Sequence, residues 1–210
     1  MNRIRPSLIK PVDATEQIRQ DLVVALGATI LGLAIPLSVL HDPSVGTYGI
    51  SEFGVHVITA IPLGVGLFIA SFYLWKIADQ LRSTRGNDAM TQAFRALSVL
   101  ITLIVLTPFT VDTLFNWLHM TIGALLFLDQ LALSVHILRV HNVDKALILF
   151  FAVELIGGVL AALSLPDNWL SYMFQGEVLF QIGFILMLFR GLTRLVEAPL
   201  HPRIYTEDAE

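Results

Sequence analysis

Asp129 and Glu154 each fall near the middle of a long apolar run. An ionised side chain there costs several kcal/mol unless it is neutralised, paired or hydrated. His136 follows Asp129 by seven residues, on nearly the same helical bearing and about 10 Å further along. Asp129, His136 and Glu154 could therefore form a midplane relay for protons or a cation. Equally, both carboxyls could be neutral and hydrogen-bond neighbouring helices, with Gln130 and Ser134 as partners.

A second group stands at helix ends. Glu52, His56 and Thr59 occupy i, i+4 and i+7 at the start of one apolar run, and Asp112, Asn116 and His119 repeat that spacing before another. Glu177 and Gln181 open a third. With Ser51 these residues predict a polar cavity at one membrane face, although hydrated residues at headgroup level would look the same. His56, His119, Glu52 and Glu177 are the types that bind zinc or a similar divalent ion, which could activate water against a lipid or amide. No His-Glu-x-x-His run supports that geometry. His56 and His119 could instead be the two axial ligands of one b-type haem. His136 lacks a partner for a second, because His141 falls in a loop.

These residues must be carried by helices. Apolar stretches cover residues 22–40, 53–75, 92–111, 114–138, 146–165 and 170–192, each near the ~20 residues that cross a ~30 Å hydrocarbon core. All thirteen Lys and Arg residues fall before the first stretch, in or next to the second and fourth connections, or at the end of the sixth stretch and beyond it. The positive-inside rule then predicts an all-α, six-span protein of a plasma (inner) membrane with both termini cytoplasmic. The expected parts are a cytoplasmic segment over 1–21, one bundle over 22–195 and a cytoplasmic tail over 196–210. Asp13 to Glu16 is placed to cap a helix that continues into the first span. Because acids interrupt the basic N-terminus, the first span reads as retained rather than cleaved. Gly86 and Asn87 mark a cytoplasmic turn. Trp117 and Trp169 suit one interface and Trp75 the other.

Composition agrees: 55% of residues are apolar, 14% charged, and mean hydropathy is +0.73, so charged helix faces for a soluble domain are missing. With bases on one side only, a nucleic-acid partner is not expected, whereas a bilayer is, together with a cation or small polar ligand. The absence of cysteine excludes disulfides, thiolate catalysis and iron–sulfur clusters. Gly-x-x-Leu-Phe recurs at Gly64, Gly123 and Gly176, a weak trace of repeated hairpins. There is no Gly-x-Ser-Gly nucleophile, no Pro-Ser-Gly-His run, no paired Glu-Glu and no phosphate loop. Rhomboid-type, lipid-phosphatase and glutamate-type membrane enzymes and nucleotide-driven pumps are thus set aside.

Ile50-Ser51-Glu52-Phe53-Gly54, Leu118-His119 followed by Gly123 to Phe127, and Gly176-Glu177 together resemble a bacterial and archaeal six-helix membrane family. It is the one catalogued as domain of unknown function 998, more distantly like DRAM-type lysosomal proteins. The likeness covers residues 22–195 and departs from the family at Val178, where a basic residue would be expected. It implies a six-helix fold with an outward polar pocket of Ser51, Glu52, His119 and Glu177, and it supplies no reaction.

From the residues, the leading expectation is a bundle that binds or moves a cation, proton or small polar solute. The alternatives are a metal-dependent hydrolase of a lipid or amide, a haem subunit, and a scaffold within an oligomer or larger complex. Gly27, Gly32, Gly64 and Gly66 permit close helix packing in each case.

Overall fold

Each apolar run forms one α-helix: α1 (Ala14–Val39), α2 (Val57–Arg85), α3 (Asp88–Leu106), α4 (Thr113–Val140), α5 (Lys145–Ser164) and α6 (Met173–Glu197). The computed structural model describes residues 14–39, 48–85, 88–108, 110–140, 144–165 and 170–197. Among these there is no strand, and all six helices are long and apolar enough to cross a membrane. Asp13, Gly86, Asn87, His141, Asn168, Trp169 and residues 1–12 and 198–210 lie outside the described set.

Boundaries differ from the sequence expectation at informative places. The second helix begins at Val57 rather than residue 53, because Gly49–Gly54 forms a 3-10 turn ahead of it. The third stops at Leu106 rather than 111, since Pro108 drives Thr107 out of helical conformation. α1 starts at Ala14, so part of the predicted N-terminal segment belongs to the bundle, and Asp21 is only 3% exposed.

Every Lys and Arg of the described helices lies in the half of its helix that points to one end of the bundle, here termed the basic end. The opposite end carries the 3-10 turn and is termed the turn end. The main apolar core sits in the basic half, where Leu22, Ile77, Phe94, Ile137, Leu147 and Met187 are fully buried, one from each helix. Charges brace it. Asp21 accepts from Lys76 Nζ at 2.9 Å and Gln80 Nε2 at 2.7 Å, tying α1 to α2. Asp144 caps α5 by accepting from the Ala146 N–H at 3.0 Å and binds Arg190 and Arg194 of α6. The hydrogen bond from Arg190, with the cap and the two guanidinium charges, holds the Asp144 carboxyl below the usual aspartate range.

Two helix pairs meet backbone to backbone. A Cβ on Gly66 of α2 would stand 2.8 Å from the Gly32 Cα of α1. Along α5 and α6, a Cβ on Gly157, Gly176 or Gly183 would collide with the partner's main chain. Lipid offers no hydrophobic force between helices, so such close approach is what gains dispersion contact. α2 and α3 are joined differently, by Ser71 Oγ bonding the Ser98 carbonyl at 2.8 Å and Thr102 Oγ1 at 2.8 Å.

Candidate functional site

At the turn end, Gly49 adopts φ +71°, a left-handed conformation that disfavours any Cβ. The Glu177 carboxylate of α6 occupies the space where that Cβ would go and accepts the Ile50 N–H at 2.5 Å. Phe53, fully buried, packs edge-on against Phe174 of α6 with centroids 6.0 Å apart. Thr59 Oγ1 closes the junction with α2, donating to the Phe53 carbonyl at 2.7 Å. The turn is therefore fixed at both ends and beneath, and Ser51 rides on it.

The end of α3 supplies the other half. Its helix stops at Leu106, leaving the Thr107 carbonyl without a helical donor, and His119 Nδ1 lies 2.6 Å from it. A carbonyl only accepts, so Nδ1 carries the hydrogen and Nε2 presents its lone pair. The Ile104 carbonyl is a further acceptor near the ring. Ser51 Oγ stands 2.8 Å from Nε2 and is the group that donates to it. His119 is 8% exposed and Ser51 half-buried. A hydroxyl bonded to an imidazole whose far nitrogen is anchored is the arrangement of an activated serine nucleophile.

The remaining predicted cavity residues divide. Glu52 is buried, and its Oε1 lies 3.6 Å from His56 Nε2, so the expected i, i+4 pair meets, although the 3-10 turn and the residues just after it carry the pair while Thr59 lies in α2. Asp112 is exposed and caps α4, accepting the Phe115 N–H at 2.8 Å. Asn116 is also exposed. Gln181 turns to Gln130 of α4, each amide donating to the other at 3.2 Å. Among the described residues no three His, Asp or Glu side chains gather closely enough for a metal ion, so the quartet His56, His119, Glu52 and Glu177 is not assembled. His119 has both ring nitrogens engaged, which also removes it as an axial ligand.

No known protein family, curated protein or solved structure matches this chain.

Nor does the structure unite the midplane relay. Ser134, not Asp129, is the α4 group beside the Glu154 carboxyl. Five residues separate Asp129 from Ser134, which turns them about 140° apart around the helix axis. Asp129 Oδ2 and His136 Nε2 share the other flank, each buried without a hydrogen-bond partner. The seven-residue spacing placed Asp129 and His136 together; it carried no information on which flank of α4 meets α5.

The residues that sequence reasoning passed over are mostly partners of another kind. Thr107 acts through its carbonyl and Ile50 through its N–H, and main-chain roles leave no mark in residue type. Pro108 and the Gly49/Gly54 pair were the available signals, the first for a helix end with orphaned carbonyls and the second for a turn. Asp144, directly before an apolar run, was a findable N-cap.

Proposed function

We propose that this chain is a multi-pass integral membrane enzyme whose turn end transfers or hydrolyses the acyl group of a lipid ester or amide. Ser51 is the nucleophile and His119 the general base. The observation that carries this reading is the Ser51 Oγ to His119 Nε2 bond of 2.8 Å, with Nδ1 held by the Thr107 carbonyl at 2.6 Å. In the first step the Oγ proton passes to Nε2 while Oγ bonds the substrate carbonyl carbon. The tetrahedral intermediate expels the alcohol or amine, which takes that proton back from Nε2. Water, deprotonated by the same nitrogen, then releases the acyl group and restores Ser51.

The surroundings favour a lipid substrate. Leu114, Trp117 and Leu118, on the turn of α4 that leads to His119, are exposed apolar side chains that suit the boundary of headgroups and acyl chains. The clustering of Lys and Arg at the basic end supports a cytoplasmic position for both termini in a plasma membrane, and hence an outward-facing Ser51. The likeness to the domain of unknown function 998 family is in keeping with such a pocket.

The purified full-length protein in detergent, treated with a fluorophosphonate probe, tests the proposal. Covalent labelling should appear on Ser51, vanish in Ser51→Ala and fall at least about a hundredfold in His119→Ala, the scale of losing a general base. A wild-type protein that stays unlabelled, or a His119→Ala variant labelled at the wild-type rate, would sink it.

A further inference from the structure

Glu154 is fully buried in α5, with 0% of its surface exposed, and neither carboxyl oxygen has a hydrogen-bond partner. Ser134 of α4, likewise 0% exposed, lies beside it, and no well-formed hydrogen bond engages its hydroxyl. Three buried oxygens thus gather at the α4–α5 seam without a well-formed hydrogen bond. Buried polar atoms left without partners each cost free energy, so a cluster of them calls for a ligand. The seam is fixed rather than collapsible: Gly183 of α6 packs against the Glu154 backbone, and Phe127 of α4 stacks on Phe180 of α6 with centroids 4.0 Å apart. One helical turn from Ser134, the Gln130–Gln181 pair adds two amide carbonyls, each with a spare lone pair.

We infer that Glu154, Ser134 and the neighbouring amide carbonyls form a binding site for an alkali-metal cation inside the bundle, separate from Ser51 and His119. All the donors are oxygen, which selects a hard cation over zinc or copper. A single carboxylate balances one positive charge. A divalent ion would leave a net charge in a medium that penalises it, since Asp129 points to the other flank of α4 and the described Lys and Arg side chains lie at the basic end. The cation joins α4 to the α5–α6 pair beside the Phe127–Phe180 stack.

The full chain, purified in detergent, is heated in choline chloride at one pH and then with choline replaced stepwise by Na+ or K+ at constant ionic strength. One alkali cation should raise Tm saturably, because a ligand bound only by the folded state stabilises it by mass action. Glu154→Gln should abolish the response, and Ser134→Ala should weaken the apparent Kd by about tenfold, the scale of one hydrogen bond to a charge. Equal Tm in choline and both alkali salts, or an unchanged response in Glu154→Gln, overturns the site. Should Glu154→Gln fail to fold, Ser134→Ala decides alone: an unaltered Kd refutes the assignment. Fluorophosphonate labelling at Ser51 is read in parallel, so failure here leaves the acyl-transfer proposal standing or falling by its own result.

Discussion

The basic half and the turn half of this bundle are built on different principles. In the basic half every helix contributes a fully buried apolar side chain, and aspartates at 21 and 144 pin helix pairs with charges. The turn half has, among the described residues, a small apolar cluster around Phe53 and Leu63; glycine contacts join its helix pairs, and single polar bonds place the site: Ile50 to Glu177, Ser51 to His119, His119 to Thr107. The main apolar core lies where no chemistry is proposed. The groups suited to chemistry sit where few neighbours depend on them, so their geometry can be tuned without unfolding the bundle.

Substitutions in the helix contacts, in the basic core and in the 3-10 turn should therefore separate folding from activity. Gly157→Leu has the largest effect, because its side chain would enter the main chain of α6 at Gly176 and Phe180. Size-exclusion chromatography should show the folded protein lost, with no soluble fraction to assay. Phe94→Ala, in the basic core, should lower unfolding stability by about 3 kcal/mol. Labelling per folded molecule at Ser51 should stay at the wild-type value. Gly49→Ala reverses the pattern. Strain at φ +71° and the approach of Glu177 cost about 1–2 kcal/mol in Tm measurements, yet displacing the turn should cut Ser51 labelling more than about tenfold. If Phe94→Ala instead abolished labelling while Gly49→Ala spared it, the division between halves would be wrong.

The smallest effect concerns pH. Asp144 is held below its ordinary value of about 3.9, so its contribution is present above that pH and fades as acid titrates the carboxyl through its lower folded value. Thermal unfolding of wild type should fall more steeply below pH 4 than that of Asp144→Asn, and the two curves should run parallel above pH 6.

Six spans and their basic side were legible because hydrophobic length and Lys/Arg position are one-dimensional properties. The 3-10 turn was not, because Phe53 extends the apolar run past the point where helix geometry begins at Val57. Ser51, His119 and Glu177 were singled out by type, but their mutual bonds depend on where α3 ends and how α6 approaches. Asp129 shows the limit from the other side. Its position in the middle of α4 was plain, whereas its separation from Glu154 follows from the rotation of α4, set by whichever face packs best.

The glycine contacts join helices that are neighbours in the chain, α1 with α2 and α5 with α6. Contacts between sequence neighbours close small loops and so form early. During synthesis the first hairpin can zip as soon as α2 enters the bilayer, long before α6 exists, and the last hairpin zips on its own when α6 arrives. Docking of the two preformed hairpins through α3 and α4 is then the final event, and it is this late step that seats the 3-10 turn on Glu177. A chain that stops before α6 thus holds Ser51, Thr107 and His119 but lacks the Glu177 bond that seats the 3-10 turn, so the proposed nucleophile is braced only once α6 has arrived.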